Sequence, residues 1–217
     1  MIVASLLLVW RSVAPAKAPS SQTSAPAVPS APLPLEGLPT TGSMSARAVM
    51  LVFSDFQCPF CAHFATDTMP AIRTKYVTPG LLRVVFRNLP LPIHSHAEHA
   101  AEGAQCAFEQ GRFWAMHDIL FAQPSSLDDL DSTAATIGLD VPAFRRCMAK
   151  SSTATRVTQD SQLAATIGLR ATPSFIFGTT TDSTTMLSST VIVGAKSTAD
   201  FFSVIDGLLS TLQRQHT

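Results

Sequence analysis

The stretch Val49-Met50-Leu51-Val52-Phe53-Ser54-Asp55-Phe56-Gln57-Cys58-Pro59-Phe60-Cys61-Ala62-His63-Phe64 sets the reading of the whole chain. A continuous apolar run, rich in Val, Leu and Phe, has the length and side chains of a strand buried on both faces. It passes through a short turn into a Cys-x-x-Cys pair, after which the pattern becomes that of an amphipathic helix. A strand that ends where a helix begins puts Cys58 at the helix N-terminus, near unpaired backbone N–H groups and the positive end of the macrodipole. That setting favours the thiolate, the nucleophile of disulfide exchange. Pro59 suits the first turn, where its missing N–H costs nothing. Cys61 returns to the same side and can close a disulfide with Cys58. Half of a zinc knuckle and a purely structural disulfide are the competing readings, and zinc needs two more ligands at compatible spacing.

Outward from that stretch, composition narrows the field. The 217 residues are 46% hydrophobic and 14% charged, enough apolar material for a sizeable core. Fifteen basic and 15 acidic residues cancel, which argues against a nucleic-acid partner or a polybasic membrane patch. Ile2 to Trp10 is apolar apart from Ser5. As a helix it would span roughly 14 Å at about 1.5 Å per residue, too short for a hydrocarbon core of about 30 Å. Residues 1–16 therefore read as a secretory-signal-like or hydrophobic leader, with Ala14-Pro15-Ala16 as a cleavage site. Residues 17–43 are rich in Pro, Ala and Ser and read as a disordered, extended spacer. The folded domain is expected over 44–215.

Within it, Ala48–Phe53 is expected as a central strand and Pro59 to about Tyr76 as a helix bent near Pro70. Pro79-Gly80 marks a turn, and Leu81–Asn88 is a β-branched and aromatic strand, completing a parallel βαβ unit. Ser95 and Glu98 fit a capping box opening a helix that stops at Gly111. Helical periodicity continues to Ile167, with an all-helical insertion at about 95–152. Pro173–Phe177 and Val191–Val193 read as a hairpin, and a last helix covers about Ser197 to Leu212. The order β-α-β, helices, then α-β-β-α is a thioredoxin-like α/β fold with a helical insertion.

With these pieces placed, the sequence resembles the DsbA-like thiol–disulfide oxidoreductases of the thioredoxin superfamily. The likeness rests on Phe53-Ser54-Asp55-Phe56-Gln57-Cys58-Pro59-Phe60-Cys61, on Leu89-Pro90-Leu91-Pro92-Ile93-His94, on Gln110-Gly111-Arg112-Phe113-Trp114 with Met116-His117-Asp118, and on Ala171-Thr172-Pro173-Ser174-Phe175. The resemblance implies that Cys58 attacks and Cys61 resolves. It also implies that Thr172-Pro173 is cis and packs on the disulfide face, where the Thr172 backbone can pair with a substrate peptide. Phe60 stands where the most oxidising members carry histidine, which implies a Cys58 pKa below the free value of about 8.5 but above the extreme near 3.5. Thioredoxin has a buried acid six residues before its first cysteine. Val52 stands there in this chain, and Asp55 reads as a turn residue.

Cys106 and Cys147 are either a second, structural disulfide, as suits an exported domain, or two buried free thiols. His94, His96 and His99 lack the spacing of a metal site, while His63 and His117 read as surface or packing residues. No metal and no cofactor beyond the Cys58–Cys61 disulfide is expected. The reading is an exported oxidoreductase, periplasmic or in the cell envelope and tethered through its N-terminus. It would be a monomer that oxidises unfolded or thiol-bearing proteins and depends on a membrane partner for its own redox cycling. A reductase or isomerase using the same site, or a non-catalytic peptide-binding chaperone module, are the alternatives.

Overall fold

A computed structural model describes residues 27–215, so the proposed leader lies outside the described residues. A six-stranded sheet has the order β1-β6-β5-β3-β4-β2. Its strands are β1 (Leu33–Pro34), β2 (Thr40–Thr41), β3 (Ala48–Ser54), β4 (Leu82–Asn88), β5 (Ser174–Thr179) and β6 (Thr185–Val193). The centre is β3, parallel to β4 and antiparallel to β5. Every residue of β3 is buried. The two-residue period of a strand accounts for this. Ala48, Met50 and Val52 pack with Phe64, Ile72, Phe175 and Phe201 in one cluster. Val49, Leu51 and Phe53 pack with Ile176, Leu169 and Met186 in another.

The helices are α1 (Pro59–His63), α2 (Met69–Ile72), α3 (Ala97–Glu109), α4 (Phe113–Ala122), α5 (Leu130–Thr136), α6 (Val141–Met148), α7 (Ser151–Thr166) and α8 (Thr198–Arg214). Pro70 does not break the first helical stretch. Wide π-turns at Phe64–Thr68 and Arg73–Val77 flank α2, with the Met69 N–H reaching back five residues to Phe64 O. A lost backbone donor is absorbed by widening the helix. Cys106 on α3 and Cys147 on α6 form a disulfide, with Cα atoms 5.7 Å apart. The expected hairpin is present as β5 and β6. At Gly178 an added Cβ would lie 2.0 Å from Leu187 O, and the strand register shifts between Phe177 and Gly178. Glycine there lets the two backbones close up beside a bulge.

Two expectations are corrected. The spacer does not run to residue 43. β1 pairs with β6 at one sheet edge and β2 with β4 at the other, so residues 33–41 cross a sheet face as a belt. Leu33, Leu35 and Leu38 are buried against Val49, Leu51 and Phe53. Side chains from the body grip its backbone: Arg87 donates to Pro34 O, Arg156 to Gly37 O and the Trp114 indole N–H to Thr40 O. The prolines are tolerated because the belt forms only two-residue edge strands. The capping box at Ser95 is also absent. His96 is the N-cap of α3, with no side-chain cap, and its N–H donates to Gln57 Oε1 at 2.7 Å. The active-site turn thus satisfies the N-cap N–H, the part of the box expected of the Glu98 side chain.

Candidate active site

The end of β3 delivers the chain into a tight turn built on Asp55. Its carbonyl accepts the Cys58 N–H at 3.1 Å and its Oδ1 accepts the Gln57 N–H at 2.8 Å. Cys58 then sits at the N-cap of α1 in an extended conformation, and its carbonyl accepts the Cys61 and Ala62 N–H groups. Pro59 occupies the first turn. Cys58 and Cys61 are free thiols, 4% and 1% exposed.

Across from them, Thr172-Pro173 is cis. When protonated, Cys58 Sγ donates to Thr172 O at 3.5 Å over a sequence separation of 114. Pro173 O in turn accepts the Gly194 N–H, which holds the loop against the end of β6. The fold thus brings Cys58, Cys61, Thr172 and Pro173 together. Phe60 is 64% exposed and projects no polar group toward the sulfur. Beside Cys58 runs a groove lined by Phe56, Gln57, Pro59, Ala62, Leu120 and Leu127, of a kind that an apolar peptide side chain could enter.

The two sulfurs are held in opposite protonation states. The Cys61 thiol donates to Cys58, and against the cost of burial this bond, with the Thr172 hydroxyl and the Cys61 and Phe60 backbone, lowers the Cys58 pKa from 9.0 to about 5. Burial raises that of Cys61 well above the thiol range, and the neighbouring Cys58 reinforces it. The buried Thr172 hydroxyl has no hydrogen-bond partner in the interior, which leaves it free to turn toward the Cys58 sulfur. We expect alkylation of Cys58 to be independent of pH above about 6 and to fall tenfold per unit below about 5, measured by mass spectrometry. An inflection near 8.5 would contradict the geometry. By linkage, a lowered folded-state pKa adds stability to the reduced protein that is full above the unfolded value of 9.0. It wanes as pH falls toward about 5 and is gone below that.

Asp55 does more than shape the turn. Its carboxylate is fully buried, and Oδ2 accepts both the Leu91 N–H and His94 Nδ1 at 2.8 Å. The 89–96 loop is therefore pinned to the Cys58 turn at three points, counting Gln57 with His96. His94 serves as a carboxylate partner, and among the described residues no group of three or more His, Cys, Asp or Glu is placed to hold a metal. His63 pairs with Asp67 on the surface, whereas His117 is buried among Phe56, Phe86, Trp114 and Phe121.

A family model described as Thioredoxin matches residues 36–188, well over half of the chain. The chain belongs to the thioredoxin family. Its start at residue 36 also falls within the belt rather than after it. Solved structures with the same fold include alpha-DsbA1 of Wolbachia pipientis, with a TM-score of 0.73 and 24% identity over 85% of this chain and 97% of that one. Another is oxidised BdbD of Bacillus subtilis, with a TM-score of 0.70 and 21% identity over 82% and 96%. Among curated proteins, this thioredoxin-family chain is 37% identical over 137 residues to the Na(+)/H(+) antiporter NhaA 3 of Salinispora tropica. That match takes in 62% of this chain and 20% of the antiporter. A similar match, 34% over 136 residues, is found with NhaA of Herminiimonas arsenicoxydans. The chain spans about a fifth of the length of these relatives.

Proposed function

We propose that this protein is an extracytoplasmic thiol–disulfide oxidoreductase that oxidises protein dithiols with its Cys58–Cys61 disulfide. The observation that carries the reading is the asymmetric pair itself: a thiolate at a helix start beside Thr172-Pro173, and a buried, protonated resolving thiol behind it. A substrate thiolate attacks Cys58 Sγ, the Cys58–Cys61 bond breaks, and its electron pair leaves on Cys61. The substrate's second thiolate then attacks the mixed disulfide, and Cys58 departs as a stabilised thiolate. The lowered Cys58 pKa favours the reduced form and so makes the disulfide oxidising. The Cys106–Cys147 disulfide supports an oxidising compartment. A membrane partner would then return the dithiol to the disulfide.

Antiporter activity is not carried over from the curated relatives. The match covers one fifth of them, and no helix among the described residues is long and apolar enough to cross a membrane. The test mixes oxidised protein with a reduced dithiol peptide and measures the Cys58–Cys61 potential in glutathione buffers. We expect one peptide disulfide per protein molecule. The potential should fall between about −270 mV, the thioredoxin value, and about −120 mV, that of the strongest oxidant. A potential below that range makes the protein a reductase, and an unreactive pair leaves only the peptide-binding module.

A further inference from the structure

Cys61 must lose its proton before it can attack Cys58, and its burial opposes that step. Val52, at the strand position where an acid would help, is apolar and lines the small cavity behind Cys61. On that same cavity wall stand Ser54 and His117, among Val84, Phe64, Phe86 and Trp114. The Trp114 N–H is already committed to Thr40 O. His117 is thus the one ionisable side chain of the wall besides Cys61. The space is at the lower limit for one water molecule, and Ser54, Cys61 and His117 are the polar partners such a water needs.

The other ring nitrogen leads outward. His117 Nδ1 is 2.8 Å from Asp118 Oδ1, and the half-exposed Asp118 faces Arg73 at 3.8 Å through its other oxygen. Asp118 and Arg73 are the charged groups that face His117, and the rings around it are those of Phe56, Phe86, Phe113, Trp114 and Phe121. We propose that His117 is the proton acceptor for Cys61, directly or through one water, with Asp118 holding its ring in the accepting tautomer. Burial lowers the His117 pKa against the pull of Asp118, so the imidazole is neutral at pH 7. Burial raises that of Asp118, but His117 and Arg73 outweigh it and keep the carboxylate charged. Nδ1–H then donates to Asp118, and Nε2 keeps its lone pair for the cavity.

The inference rests on the oxidoreductase reading and concerns its reoxidation half. With Cys58 in a mixed disulfide with an oxidising partner, the Cys61 proton passes to His117 Nε2. Cys61 Sγ forms a bond to Cys58 Sγ, and the bond from Cys58 to the partner's sulfur breaks. The electron pair leaves on that sulfur as thiolate, which takes up a proton from solvent as the imidazolium returns its own. The dithiol is oxidised and the partner's disulfide is reduced.

The experiment follows reduced protein mixed with excess oxidised glutathione, using acid quench and mass spectrometry to resolve the Cys58–glutathione adduct. In His117→Phe, which keeps the aromatic packing, the adduct should form at the wild-type rate. Its resolution should slow at least tenfold at pH 7 and then rise tenfold per pH unit, where wild type reaches a plateau. Asp118→Asn, on the surface, should slow resolution several-fold without altering Cys58 alkylation. Wild-type resolution rates and pH profiles in the variants overturn the proposal. If His117→Phe does not fold, an unchanged rate in Asp118→Asn does the same. If wild type forms no adduct at all, the oxidoreductase reading falls first and takes this one with it.

Discussion

Replacing Cys61 with alanine is expected to turn the protein into a trap that holds a disulfide partner covalently on Cys58. Cys106 and Cys147 are bonded to each other, so among the described residues no other free thiol can resolve the adduct. The substitution also removes the hydrogen bond that does most to lower the Cys58 pKa. If the whole shift from about 5 back to 9.0 were lost, the thiolate fraction at pH 7 would fall about a hundredfold. Intrinsic nucleophilicity rises with pKa, at about 0.4–0.5 log units per unit, which returns roughly 40–100-fold over four units. The two effects nearly cancel. Adducts should therefore form within a few-fold of the wild-type rate, while their decay and all turnover are lost. Non-reducing electrophoresis and peptide mapping would show a dithiothreitol-sensitive adduct confined to Cys58. An adduct that decays as fast as in wild type would mean that Cys61 does not resolve.

The features legible in the sequence are those whose cause is local. Ala48–Ser54 announces itself as a buried strand because seven consecutive residues must satisfy two apolar faces. Pro59 and the cysteine spacing fix the helix start without help from the rest of the chain. The hairpin and α8 carry their own turn and cap residues, Asp182 and Ser197. What stayed hidden depends on partners brought in by tertiary structure. Asp55 read alone is a turn residue, and nothing nearby foretells that its other oxygen will hold His94, 39 residues on. His117 likewise shows its relation to Cys61 only once α4 packs over α1. The belt was hidden for a different reason. Two-residue strands have no periodicity, and three leucines among prolines do not resemble a folded segment until the opposite sheet edges are seen to hold both its ends.

The belt depends on a buried ion pair, and removing the acid of that pair is expected to be the most destabilising single change. Arg87 projects from β4 and Asp160 from α7, with side chains 7% and 3% exposed. Asp160 Oδ1 accepts from Arg87, and Oδ2 accepts the Asn88 N–H at 3.0 Å, while the other Arg87 amine donates to Pro34 O at 2.7 Å. Burial raises the Asp160 pKa despite Arg87, and lowers that of Arg87 despite Asp160. Each charge is thus tolerable only beside the other. Asp160→Ala strands a buried guanidinium and a buried backbone donor, at a cost of about 3–5 kcal/mol. Against a typical total of about 5–15 kcal/mol, that removes a fifth or more of the stability. Replacing both residues with apolar ones, Arg87→Met with Asp160→Leu, should cost less than Asp160→Ala alone, since no charge is left unpaired. The double variant still loses the bond to Pro34, so its belt should be cleaved sooner by protease even where global stability is largely restored. Urea unfolding gives the first comparison and limited proteolysis within residues 33–41 the second. A loss under about 1 kcal/mol in Asp160→Ala would show that Arg87 finds water, and that the belt is held by its leucines rather than by the buried pair.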